Sequence, residues 1–93
     1  MKIIKVGMAG TLESSDASVT IEPPGLEAAG LELTIECADK RFLGNITKAV
    51  RAALAEAEVE SARVSVRDRS ALDCTLRARV LAACLRASER TSA

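Results

Sequence analysis

Leu31-Glu32-Leu33-Thr34-Ile35-Glu36-Cys37 alternates apolar and polar side chains one by one, and two residues later the spacing changes. From Asp39 to Ala57, Phe42, Ile46, Ala49, Val50, Ala53, Leu54 and Ala57 fall on one side of a helical wheel. Lys40, Arg41, Lys48 and Arg51 fall on the other. Alternation sorts side chains to the two faces of a strand, whereas a spacing of about 3.6 sorts them around a helix. The segment therefore reads as a strand with one wet face followed by an amphipathic helix that Asp39 is placed to cap.

The same alternation occurs twice more. Ala17, Val19 and Ile21 alternate with Ser18, Thr20 and Glu22, and Ala62, Val64 and Val66 alternate with Arg63, Ser65 and Arg67. A less regular strand is expected from Ile3 to Leu12. Turn chemistry at Ser14 to Asp16 would fold it back on residues 17 to 22 as a hairpin, with Ser14 at or beside the tip. Pro23, Pro24 and Gly25 end that second strand. A last helix is expected to begin near Ser70, where Ser70 and Asp73 form a cap-like pair, and to run toward Ser88. It carries two apolar stripes: Leu72, Leu76, Val80 and Ala83 on one side, and Cys74, Ala78, Leu81 and Leu85 on the other. One stripe can cover a sheet, and the second must meet either the neighbouring helix or another protein.

The order β-β-β-α-β-α predicts an α+β fold: a two-layer sandwich with a mostly antiparallel sheet of about four strands and both helices on one face. Ninety-three residues suit a single domain, with residues 89–93 expected to fray. With Phe42 as the only aromatic, the core must be built from aliphatic side chains. Lys and Arg balance Asp and Glu at 13 each, and Trp and Tyr are absent, which argues against nucleic-acid binding. The balance hides a split. Residues 9 to 36 carry six acids (Glu13, Asp16, Glu22, Glu27, Glu32, Glu36) and no Lys or Arg, while seven arginines follow residue 61, so an electrically polar molecule is expected. Three cysteines, Cys37, Cys74 and Cys84, form no Cys-x-x-Cys pair and read as small buried or half-buried side chains in a reducing cytoplasm. No signal peptide or membrane span is expected.

The chemistry allowed is narrow. Without histidine there is no histidine triad, histidine base or histidine metal site, so no catalytic residue and no metal ligand is assigned. Gly7 and Gly10 lack the rest of a phosphate loop. Ser14 and Ser15 lie between Glu13 and Asp16 in a turn with no base beside them, an arrangement poor for catalysis but suited to attachment.

Two runs carry a family resemblance: Ala9-Gly10-Thr11-Leu12-Glu13-Ser14 followed by Asp16, and Ala71-Leu72-Asp73-Cys74-Thr75-Leu76-Arg77-Ala78-Arg79. Together they closely resemble the acyl carrier (gamma) subunits of citrate lyases, and the resemblance extends from Met1 to about Ser88. It implies a non-catalytic carrier. In such a carrier Ser14 would bear, through a phosphodiester, 2'-(5''-phosphoribosyl)-3'-dephospho-CoA, whose thiol carries acetyl and citryl thioesters between an alpha (transferase) and a beta (lyase) subunit. A prosthetic-group transferase would load the serine, and an acetate ligase would acetylate the thiol. The arm brings its own nucleophile, so the protein need only present and steer it.

Where the family commonly has glycine after the modified serine, this chain has Ser15, which leaves a second hydroxyl as the alternative site. Glu13 and Asp16 are expected to contact basic surfaces of partners. The last helix, through Arg77, Arg79, Leu81 and Leu85, is either core with solvated arginines or a docking surface for a larger subunit. Two other readings remain: the carrier subunit of malonate decarboxylase, and an unmodified small α/β binding or regulatory module.

Overall fold

A computed structural model of the chain describes residues 1–25 and 30–88. Its elements are β1 (Gly7–Gly10), β2 (Asp16–Glu22), β3 (Leu31–Cys37), a 3-10 turn (Lys40–Phe42), α1 (Leu43–Glu56), β4 (Ala62–Arg69) and α2 (Asp73–Ser88). The four strands form one sheet in the order β1-β2-β4-β3. The expected element order and α+β class hold. β1–β2 and β2–β4 are antiparallel, but β3–β4 is parallel, because α1 carries the chain back along the sheet between them.

The core lies between the sheet and the helices. Val19 pairs with Val66 and Ile21 with Val64, so apolar side chains stand opposite one another on the covered face. They are buried together with Ile46, Val50 and Leu54 of α1 and Leu76, Val80, Ala83 and Cys84 of α2. Each large aliphatic side chain so buried contributes about 1.5–3 kcal/mol. The other face keeps its polar residues, and there β3 and β4 interleave their charges. Arg63 lies 3.4 Å from Glu32 and Arg67 lies 3.7 Å from Glu36. With Asp16 bound to Arg79, three of the six acids in the negative stretch pair with arginines from the positive one. Glu27, Glu89 and Arg90 lie outside the described residues, as does the expected fraying of residues 89–93.

Five expectations are corrected. β1 is only Gly7–Gly10, because Ile4 and Lys5 turn aside and donate their N–H groups to the Ala87 carbonyl at 3.0 and 3.1 Å. That satisfies a carbonyl at the end of α2, which the helix itself cannot pair. β1 then packs so closely on α2 that a Cβ on Gly7 would lie 2.3 Å from the Ala83 oxygen.

α2 begins at Asp73 rather than near Ser70. Ser70 has φ +63°, which is not the extended backbone of an N-cap residue, and the Asp68 carboxylate accepts from the N–H groups of Ser70 and Ala71 at 3.1 and 3.0 Å. Phe42 is off the buried face of the first helix. Asp39 does act as a cap, accepting from Arg41 N–H at 3.0 Å, but it caps a tighter 3-10 turn that rotates Phe42 outward to 52% exposure. Of the last helix's first stripe, Leu76, Val80 and Ala83 are buried, while Leu72 precedes the helix and is exposed. In the second stripe, Ala78 and Leu85 are exposed and Leu81 is half-buried. Cys74, expected to be buried or half-buried like the other two cysteines, is exposed, because it lies in the first turn of α2 on the side away from Leu76 and Val80.

Candidate attachment site at the first hairpin turn

β1 ends at Gly10, whose φ of +93° and close approach to the Ala17 carbonyl admit no side chain. The chain then reverses through residues 11–15. Asp16 N–H donates to the Glu13 carbonyl at 3.2 Å, which closes a four-residue turn with Ser14 and Ser15 in the middle. Ser15 has φ +64°, a left-handed conformation that glycine adopts without penalty. Its N–H donates to the Arg69 carbonyl at 2.7 Å and pins the turn to the end of β4.

Asp16 organises the turn. One carboxylate oxygen accepts from Thr11 N–H at 3.1 Å and Thr11 Oγ1 at 2.7 Å, and the other accepts from Ala17 N–H at 2.7 Å. Arg79 of α2 donates to both oxygens, from Nε and Nη2, at 2.9 Å each. The fork geometry of a guanidinium matches a carboxylate and fixes orientation as well as distance. The Asp16 side chain is 13% exposed. The Arg79 guanidinium, then the Thr11 hydroxyl and the Ala17 N–H, hold its carboxyl far below the ordinary carboxylate range. Thr11 Oγ1 in turn accepts from Glu13 N–H at 3.2 Å. These bonds leave out both serine hydroxyls, and Ser14 and Ser15 are exposed.

The fold thus brings together two of the residues singled out in the sequence, Asp16 and Arg79, from motifs far apart in the chain. Glu13 stays exposed on the turn. Arg77 points instead to α1, where its Nε donates to Glu56 Oε2 at 2.8 Å and its Nη2 contacts Oε1. Leu81 and Leu85 belong to the later turns of α2, away from this network. The network also takes in Thr11, and the β4–α2 connection Asp68, neither of which the sequence pattern singles out. The Asp68-x-Ser70 spacing at a strand end is a turn signal that could have marked Asp68.

A family model described as the malonate decarboxylase delta subunit (MdcD), an acyl carrier family, matches residues 4–87. Citrate lyase acyl carrier protein 2 of Salmonella typhimurium is 51% identical over 92 residues, covering 98% of this chain and 93% of the relative. The chain belongs to the citrate lyase acyl carrier protein family. Relatives from Escherichia fergusonii and Haemophilus influenzae (strain 86-028NP), both called citrate lyase acyl carrier protein, are 48% and 45% identical, each with 98% of this chain and 93% of the relative covered.

Carriers of this family bear a prosthetic group, and the turn fits a covalent one. The exposed hydroxyls of Ser14 and Ser15 sit on a reversal whose backbone is pinned on two sides, and neither enters the hydrogen bonds that hold the turn. Among the described residues no cluster could hold a metal ion, and no helix is long and apolar enough to cross a membrane.

Proposed function

We infer that this chain is the acyl carrier subunit of a citrate lyase and that Ser14 bears 2'-(5''-phosphoribosyl)-3'-dephospho-CoA through a phosphodiester. The observation that carries the reading is the Asp16–Arg79 clamp, which joins the two family motifs and holds Ser14 outward on a fixed turn. When bound, the group supplies a thiol on a flexible arm for thioester cargo. The chain's own residues do the presenting. Arg79 fixes Asp16, Asp16 fixes Thr11 and the start of β2, and Ser15 N–H ties the reversal to β4. A tethered acyl group visits two active sites at high effective concentration, so the carrier needs no chemistry of its own.

The partners are the alpha and beta subunits, the prosthetic-group transferase that loads Ser14, and the acetate ligase that acetylates the thiol. Glu13 is the carboxylate of the turn free to meet a basic surface on the transferase. The exposed Leu85, with Leu81 beside it, is the apolar surface of α2 open to a larger subunit. Three free thiols suit a cytoplasmic setting.

The test is intact mass after co-expression with a citrate lyase prosthetic-group transferase. The chain gains one nucleotide-like group, Ser14→Ala stays at its bare mass, and Ser15→Ala is loaded normally. Modification lost in Ser15→Ala but kept in Ser14→Ala moves the attachment to Ser15, and a bare wild-type chain removes the carrier reading. Reconstitution with citrate lyase or malonate decarboxylase partner subunits separates those two assignments.

A further inference from the structure

The chain's only aromatic side chain lies outside the core. Phe42 is half exposed at the mouth of a cleft of about 760 Å³ between α1 and the β4–α2 connection. The ring is a flat apolar face open to solvent beside the cleft, a surface that a planar ligand can cover. The cleft falls within the size range of small-molecule sites, about 300–1,000 Å³. Ala49 and Ala52 add apolar wall beside the ring, and Ser70 faces them from the β4–α2 connection.

This cleft opens beside the attachment turn. Ser15 N–H donates to the Arg69 carbonyl at 2.7 Å, and the next residue, Ser70, lines the cleft. Whatever hangs on Ser14 is therefore held near it at high effective concentration. In the prosthetic group named above, phosphoribose comes first and the adenosine is joined directly to it through the 2' oxygen. The diphosphate and the pantetheine follow further out. Adenosine is thus the first planar unit along the arm.

The polar rim offers the base a partner. Asp68 is held by the Ser70 and Ala71 N–H groups and Asp39 by Arg41, whose guanidinium also lies over the Phe42 ring, 5.9 Å from its centroid, so Asp73 is the rim carboxylate left to accept from the exocyclic amine of adenine. We propose, resting on the Ser14 reading, that this cleft is the seat of the adenosine of the prosthetic group, with the base stacked on Phe42. The arm is then rooted beside the turn, and only the diphosphate and pantetheine swing. Base stacking on an aromatic ring needs only the π-face that every purine has.

The experiment compares bare and loaded protein, each verified by intact mass, by NMR. In the loaded protein the amides of Phe42, Ala49 and Ser70 shift, and the adenine H2 and H8 protons show cross-relaxation to the Phe42 ring. In loaded Phe42→Ala the adenine resonances return to their positions in free dephospho-CoA, and loaded Phe42→Tyr, which keeps a ring, retains the contact. Adenine resonances of the loaded wild type that coincide with the free cofactor, with no cross-relaxation to Phe42, overturn the proposal while leaving Ser14 attachment intact. A wild-type chain that never gains mass removes attachment and seat together.

Discussion

Ser15→Gly tests the geometry of the attachment turn. Ser15 is held at φ +64°, where its Cβ crowds the following carbonyl. A non-glycine residue pays about 1–2 kcal/mol for that conformation. Glycine escapes it but loses more chain freedom on folding, about 0.5–1 kcal/mol. The difference leaves Ser15→Gly more stable by about 0.5–1 kcal/mol, which in a domain of this size raises the melting temperature by about 2–8 °C. Ser15→Ala is the control, because it removes the same hydroxyl and keeps the Cβ, and it leaves the melting temperature nearly unchanged. Urea unfolding gives the free energies, and intact mass after co-expression with the transferase gives loading. Ser15→Gly retains Ser14 and the N–H that bonds Arg69, so it loads at least as fast as wild type. A melting temperature lowered in Ser15→Gly, or raised equally in Ser15→Ala, would refute the assignment of strain to this residue.

Acid bears on the clamp with a definite sign. Asp16 has its carboxyl held below its ordinary value of 3.8, so its contribution is complete above about pH 4 and is lost as pH falls from there toward the lower folded value. Wild type is thus more stable than Asp16→Asn at neutral pH, and the gap closes below pH 4; a gap independent of pH in unfolding titrations contradicts the clamp. Gly7→Ala drives a Cβ against the Ala83 and Ala87 backbone and costs about 1–3 kcal/mol in urea unfolding, with β1 amides losing hydrogen-exchange protection. Cys74 is exposed, while burial pushes the Cys84 thiol up to about 11, so an aromatic disulfide reagent at pH 8 modifies Cys74 in the native protein and Cys84 only on unfolding. Glu13→Lys alters the loading rate and its salt dependence, whereas unchanged kinetics would make Glu13 a solubilising side chain only.

The alternating strands were legible because each has one face on the core and one in water, a contrast that the sequence writes directly in β2, β3 and β4. Pairing was less legible, since parallel and antiparallel strands alternate alike, and the direction of β3 against β4 follows from the crossover through α1. The ends of elements were not legible where a distant group decides them. Ile3 is buried and Ile4 and Lys5 bond to Ala87, a residue at the far end of the chain, so local apolar character could not distinguish a longer strand from a segment folded onto a helix end. Asp68 follows Ala62, Val64 and Val66 on the core side of β4 and is buried, which alternation alone would reserve for an apolar residue. It is tolerated because two backbone N–H groups meet its carboxylate. At the site, both motifs were legible and their meeting was not, since nothing local signals that Arg79 reaches Asp16.

That meeting also bears on how an acidic turn could carry the phosphodiester proposed for Ser14. Two carboxylates flanking Ser14 and Ser15 would repel an incoming phosphodiester group if both faced solvent. Arg79 removes one of them from the balance, pairing Asp16 through both oxygens and turning it into a structural anchor. The same pairing makes Asp16 too weak a base to deprotonate a neighbouring hydroxyl near neutrality, because a carboxyl held far below its ordinary range has little affinity for a proton. On the proposed attachment, activation of the Ser14 oxygen then falls to the protein that brings the cations and the base. A carrier whose attachment point cannot react by itself is modified only where that partner docks.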